Sequence, residues 1–347
     1  PSQCDPYCED VAKCKSTAAS NYSSLYETKA RCLGICQHLD TGSSSEAQGT
    51  NTVACRDLQI NSAEQRCDAA GPGGANQCGT DCDAYCTLYH RICGDKAFDA
   101  DFQVLPNSDP EAVCRDACTR GFVSAMPYTV DVPNFNLVDT LQCRLWHLTT
   151  ATIEDPELHC GHAQLHPNDQ CGDNPATSDV GTYCARFCAL NQKVCNTVAY
   201  DSPAECQAVC AALPAGTQVD EGTNTRGCRM WHTYSALTDP ITHCPHTSAG
   251  GDGVCSTDNC EAYCQLLNSP AFAQKCPGTP VPSTDPCKVI CGSLPGAAAG
   301  QFSVADGGAG SVECLLKHVS RVLADEMNGV DGGPSECQLA LSGADCQ

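Results

Sequence analysis

The 347-residue chain holds 32 cysteines, yet it contains no C-x-x-C pair. Zinc ribbons, ferredoxin clusters, thioredoxin sites and covalent haem attachment use that spacing, so its absence argues against thiolate metal centres and haem c. Positive charge is also scarce: 19 Lys and Arg face 41 Asp and Glu, a net charge of −22. Nucleic-acid binding needs basic patches that neutralise phosphate, and anionic membrane surfaces need the same. No apolar run approaches the roughly 20 residues of a spanning helix. Aromatic residues make up only 5 %, with 3 Met, so little bulk is available for a core. No G-x-S-x-G elbow, H-E-x-x-H helix, P-loop or Rossmann glycine pattern occurs. No repeated carboxylate pair suggests glycosidase chemistry, and no D-x-D-x-D-G loop marks a calcium site. These absences predict a protein that is not an enzyme.

What is present is a repeat. Cys143-Arg-Leu-Trp-His147 and its tail Asp155-Pro-Glu-Leu-His159-Cys160-Gly-His162 return as Cys228-Arg-Met-Trp-His232 and Asp239-Pro-Ile-Thr-His243-Cys244-Pro-His246. Working outward, every cysteine falls into one of four eight-cysteine modules. The first holds Cys4, Cys8, Cys14, Cys32, Cys36, Cys55, Cys67 and Cys78. The second holds Cys82, Cys86, Cys93, Cys114, Cys118, Cys143, Cys160 and Cys171. The third holds Cys184, Cys188, Cys195, Cys206, Cys210, Cys228, Cys244 and Cys255. The fourth holds Cys260, Cys264, Cys276, Cys287, Cys291, Cys314, Cys337 and Cys346. The order is always C-x3-C, one Cys, C-x3-C, then three more, with Tyr7, Tyr85, Phe187 or Tyr263 before the second. The corresponding boundaries are 1–79, 80–178, 179–256 and 257–347.

An even cysteine count per module predicts internal disulfides, and modules this small and poor in bulk need such cross-links. Eight cysteines allow 105 pairings, so the connectivity is open. Disulfides imply an oxidising compartment, and the start at Pro1, without Met or an apolar segment, reads as a mature secreted form. The expectation is an extracellular or cell-surface protein.

Each C-x3-C sets two sulfurs at i and i+4 on one helix face. Ser202-Pro-Ala-Glu205 reads as a capping box, and Asp109-Pro-Glu, Asp285-Pro and Ser311-Val-Glu repeat that start signal. Two such helices laced by two disulfides resemble, locally, the twin C-x3-C hairpin of small mitochondrial intermembrane-space chaperones. A further helix is predicted around the sixth Cys, at about 138–151, 227–238 and 312–327, ending near Asp-Pro where that dipeptide occurs. A loop with the last two cysteines closes each module. The expected fold is therefore mainly α and disulfide-rich: four tandem modules of short helices and long loops, stacked through short linkers into a rigid elongated body. Ser43–Val53, Phe122–Asn136, Gln218–Arg226 and Ala297–Gly310 vary in one slot per module, as a binding or assembly face would. Asn21-Tyr22-Ser23 is a glycosylation sequon.

The aromatic-Cys pairs, the C-R-x-W-H stretch and the D-P-x-x-H-C-x-H tail resemble cysteine-rich tandem-repeat secreted proteins of myxobacteria and related bacteria. That resemblance implies an extracellular location and points to no particular activity. Modules one and four depart from it, with Cys55-Arg-Asp-Leu-Gln59 and Arg66-Cys67-Asp68-Ala69 in one, and His318 with Glu336-Cys337-Gln338-Leu339 in the other.

Two groups of histidines stand out: His147, His159 and His162, and His232, His243 and His246. In extended backbone the two His of H-C-x-H diverge, and a turn at Gly161 or Pro245 would bring them together. The bland reading packs each His on Trp146 or Trp231, or hydrogen-bonds it to a carbonyl. The sharper reading is a three-His site for zinc or copper(II) with an open position. Non-covalent haem would need more bulky apolar surface. Trp146 and Trp231 are expected as core plugs, and Arg56, Arg144 and Arg229 as partners of local carboxylates. The function expected from rigidity, repetition and missing catalytic motifs is a structural subunit of a filament, fibre or surface layer that self-associates into a homopolymer and requires no cofactor. The alternatives are a Cu- or Zn-binding extracellular protein and an adhesion module acting through the inter-cysteine loops.

Overall fold

The computed structural model describes residues 3–14, 25–43, 48–102, 108–122, 128–130, 139–167, 170–196, 199–298, 307–325 and 335–343. Among them it is mainly helical and without strands, with one isolated bridge between Asp40 and Thr52. The sequon and most of 122–136 and 297–310 lie outside these residues, as does part of 43–53.

The chain forms two compact units, 1–173 and 174–347. The first contains α1 (Cys4–Lys13), α2 (Lys29–His38), α3 (Val53–Ile60), α4 (Asp81–Cys93), α5 (Asp95–Phe102), α6 (Pro110–Gly121), α7 (Leu141–Ala151) and α8 (Pro156–Ala163). The second contains α9 (Val180–Cys195), α10 (Pro203–Ala212), α11 (Arg226–Ser235), α12 (Pro240–His243), α13 (Asn259–Leu267), α14 (Pro270–Lys275), α15 (Thr284–Cys291), α16 (Val312–Leu323) and α17 (Glu336–Ser342). The division falls between Asp173 and Asn174. Arg226 donates from Nε and Nη2 to the Pro175 carbonyl at 3.0 and 2.7 Å and holds that segment to the third module.

Every described disulfide stays inside its eight-cysteine set, and one connectivity repeats. The first Cys pairs with the fifth and the second with the fourth, as in Cys4–Cys36 with Cys8–Cys32 and Cys184–Cys210 with Cys188–Cys206. These two bonds lace the paired C-x3-C helices side by side. The third pairs with the seventh (Cys14–Cys67, Cys93–Cys160, Cys195–Cys244, Cys276–Cys337). The sixth pairs with the eighth (Cys55–Cys78, Cys143–Cys171, Cys228–Cys255). Cys314 is disulfide-bonded as well, while Cys346 falls outside the described residues. No described cysteine is free, and no helix among the described residues is long and apolar enough to cross a membrane.

A hydroxyl side chain starts the sixth-Cys helix in all four modules. Thr52, Thr140, Thr225 and Ser311 each accept, through the side-chain oxygen, the amide of the Cys three residues on. This satisfies one of the helix's orphan donors and sets the register that aims His147 and His232. Thr225→Ala is expected to cost about 1 kcal/mol, read as a lowered midpoint of denaturant unfolding.

The core plugs are not the tryptophans. Trp146 and Trp231 are half-buried, whereas Tyr7, Tyr85, Phe187, Tyr89, Phe98 and Phe272 are almost completely enclosed. The tyrosine before the second Cys has a polar task too. Tyr7, Tyr85 and Tyr263 donate from Oη to the carbonyls of Ala70, Ala163 and Ala340, each three residues past the seventh Cys. Phe187 has no hydroxyl. In its module Tyr200 donates to the Thr247 carbonyl (2.9 Å) and Asn191 to Thr247 Oγ1 (2.7 Å). Each module thus anchors its seventh-Cys segment to its first hairpin, by a different route in the third.

Candidate metal centre

Two elements build each histidine cluster. The sixth-Cys helix, α7 or α11, presents His147 or His232 one turn after the disulfide-bonded Cys143 or Cys228. In place of the expected loop, Cys160 lies on a further short helix and Cys244 directly follows one. Asp155 caps the first by accepting from Leu158 N, and Asp239 caps α12 by accepting from Thr242 N, each with Pro at the first turn. Asp-Pro therefore ends one helix and begins the next. On α8, His159 and His162 stand at i and i+3 and share a face, so no special turn at Gly161 is needed. In the third module α12 ends at His243, and a 3-10 turn from Pro245 brings His246 round.

Both clusters converge through the same atom. His147 Nδ1 lies 2.9 Å from His159 Nδ1 and 3.2 Å from His162 Nδ1. His232 Nδ1 lies 2.9 Å from His243 Nδ1 and 3.2 Å from His246 Nδ1. In each group one ring nitrogen from each of the three histidines lies within 4.8 Å of the others. At a metal–nitrogen distance of about 2.0–2.1 Å, the 2.9 and 3.2 Å separations subtend roughly 90° and 100° at one ion. The nearby pairs Cys143/Cys171 and Cys228/Cys255 are disulfides and offer no thiolate.

Hydrogen bonding fixes the tautomer in the third module. His232 Nε2 faces the Glu221 carbonyl at 3.1 Å, and a carbonyl only accepts, so Nε2 carries the proton. Neutral His232 then has a bare lone pair on Nδ1. That single lone pair cannot accept a full hydrogen bond from two other Nδ1–H groups at once. Burial, then the neighbouring charges of His246, His243 and Arg229, push His232 down to about 4, while the Glu221 contact works the other way. Burial also lowers His243 and His246. The site therefore holds neutral imidazoles at ordinary pH, the form that binds metal. His159 is lowered in the same way by burial, partly offset by Glu154.

Trp146 and Trp231 border the clusters. Each indole meets the first His edge-to-face, with ring centroids 4.8 and 4.9 Å apart. In the first unit Trp146 also donates from Nε1 to Glu27 (3.0 Å), and the Arg31 guanidinium stacks over its ring at 4.7 Å. Arg31 pairs with Glu27 and faces Glu154 at 3.9 Å. There α2 approaches closely because Gly34 has no side chain: a Cβ would lie 2.1 Å from Thr152 Oγ1.

The other modules show how the same positions are filled without a triad. In the fourth, His318 is kept and Glu336 occupies the place of His159 and His243, with Nδ1 and Oε2 2.7 Å apart in a buried pair. Leu339 stands where His162 and His246 do. In the first, Gln59, Arg66 and Ala69 replace all three.

Two features close to the site are not visible as motifs. Arg56, Arg144 and Arg229 are completely buried, and their main partners are backbone carbonyls in place of the expected carboxylates. Arg56 donates to Gly71 and Pro72, and Arg229 to Ser248, Ala249 and Thr225. Of the three, Arg144 adds a carboxylate, Asp139, at 2.8 Å. The available signal is spacing: modules with this Arg have C-x10-C between the last two cysteines, and the fourth, with Leu315, has C-x8-C. The second feature is Asp252, whose carboxylate lies 3.8 Å from His246 Nε2.

Residues 174–258 match the family described as the BfoA family C-terminal domain. That stretch contains all of the third module from Cys184 to Cys255, including His232, His243 and His246. A 91-residue stretch is 32 % identical to the Aurasperone B biosynthesis cluster protein A of Aspergillus niger, covering 25 % of this chain and 29 % of that protein. The Bifonsecin B biosynthesis cluster protein A of Aspergillus brasiliensis is similar at 32 % over 91 residues, 25 % of this chain and 30 % of the relative. The matched region spans less than a third of those relatives. No solved structure matches the chain.

Proposed function

We propose that the protein is a disulfide-stabilised metal-binding protein of an oxidising, extracytoplasmic environment, with one Cu(II) or Zn(II) site in each of its second and third modules. The observation that carries this reading is the convergence of three Nδ1 atoms twice over. His232 is held by Glu221 in the tautomer that leaves its ligand lone pair bare. His147, His159 and His162 would hold one ion, and His232, His243 and His246 the other. Three imidazoles leave a further coordination position for an exogenous ligand. Imidazole donors suit copper and zinc, and the affinity order favours Cu(II).

The structural-subunit reading rests on cross-linking and repetition, which all four modules share. It gives no reason for two triads of imidazole nitrogens facing one point. The fourth module shows that a packed His at this position is satisfied by one carboxylate.

The test is metal analysis of the natively oxidised chain, followed by calorimetric titration of the stripped protein with Cu(II) and Zn(II). Two equivalents are expected, with quenching of tryptophan fluorescence by Cu(II), because both indoles border the clusters. No stoichiometric binding would overturn the proposal.

A further inference from the structure

We infer that Asp252 is a positioning residue for the third-module metal site, resting on the metal reading above: its carboxylate holds His246 from the far side of the ring. His246 turns Nδ1 to the cluster, so in the neutral, ligand-competent form Nε2 bears the proton. That proton faces Asp252 Oδ2 at 3.8 Å, within reach of a small side-chain adjustment. Carboxylate, imidazole and metal would then stand in line, an arrangement that fixes the tautomer and makes the ring a stronger donor. The Glu221 carbonyl already stands 3.1 Å behind His232 Nε2, and Asp252 would give a second of the three ligands an acceptor at its outer nitrogen.

Asp252 has φ 50° and ψ 36°, inside a 3-10 turn that begins at Gly251. The first module has the same turn at Gly74, with Ala75 at φ 49° and ψ 36°. A methyl group therefore suffices for the left-handed conformation. In that module Ala69 replaces the histidine, while the second module keeps its histidines and has Asn168 at the position that corresponds to Asp252. The Asp252 side chain is mostly enclosed, at 16 % exposure, with His246 as its ionic partner.

The test uses the full chain with His159→Ala, leaving one site, and compares it with the same chain carrying Asp252→Asn or Asp252→Gly. Both residues accept the left-handed backbone. Zn(II) and Cu(II) affinities are measured by calorimetry, the Cu(II) ligand field by electron paramagnetic resonance, and folding by the melting temperature of the metal-free form. The expected result is an affinity about 10- to 100-fold weaker in both variants, a shifted Cu(II) spectrum and an unchanged melting temperature. Parent-like affinity and spectrum in both variants would overturn the inference. So would a fall in metal-free melting temperature in both, since that assigns Asp252 to the fold. If the His159→Ala chain itself binds no metal, the metal reading fails first and takes this one with it.

Discussion

Replacing His232 by Ala is expected to abolish measurable Cu(II) and Zn(II) binding in the third module, a loss of about a thousandfold or more. Outer-sphere changes alone cost about 10- to 100-fold, and this change removes a ligand. His232 is the residue to choose because its Nδ1 is the common neighbour of both other rings. Titration should fall from two equivalents to one, with Trp146 fluorescence still responding and Trp231 silent. Acid should reproduce the loss in a shifted window. Protons compete with metal for Nδ1, but burial holds His232 near 4, far below the ordinary imidazole value of 6.5. Metal should therefore stay bound to lower pH than a site of exposed imidazoles would allow. The sign for the metal-free fold is the same. His232 is neutral when folded and protonated when unfolded between these values, so its stabilising contribution is complete above 6.5 and lost as pH falls toward 4. Metal release centred at 6.5 would contradict the buried, neutral triad.

Arg229→Met should destabilise the third module by about 3–5 kcal/mol, seen as a large drop in the denaturant midpoint of the oxidised protein. The guanidinium is fully buried and donates to Ser248 at 2.9 Å, Ala249 at 3.0 Å and Thr225 at 3.1 Å. Methionine fills similar space but removes the guanidinium donors from all three carbonyls, of which Ser248 keeps the Gly251 amide, and each group left unsatisfied costs about 1–3 kcal/mol. Arg229→Lys restores the charge without the planar fork, so an intermediate loss is expected. The effect should reach the metal site, because Ser248 follows His246 by two residues. A change under about 1 kcal/mol would mean that water or a rearranged loop replaces the guanidinium.

Much of the architecture is legible because cysteine spacing is a strict ruler. C-x3-C predicts sulfurs on one helix face, and α1 with α2, or α9 with α10, form the hairpins so implied. The sixth-Cys helix starts within a few residues of its expected position, at 141 and 226 against about 138 and 227. The seventh-Cys helix is harder to see, because Asp-Pro reads as a stop signal while the same Asp side chain caps the helix after it. Size alone assigns the tryptophans to the core. Tyrosine takes those positions instead because its ring fills the hairpin while its hydroxyl pairs a carbonyl near the seventh Cys.

By itself the sequence determined that the chain is mainly helical and disulfide-rich, and which residues gather near the sixth and seventh cysteines. It did so because repetition and local periodicity are properties of order along the chain. Only the tertiary structure decided which of the 105 pairings a module adopts, since pairing depends on which helices touch. Only it decided that the three histidines of a cluster aim the same nitrogen at one point, because that direction is set jointly by a threonine cap, a disulfide and a carbonyl eleven residues away.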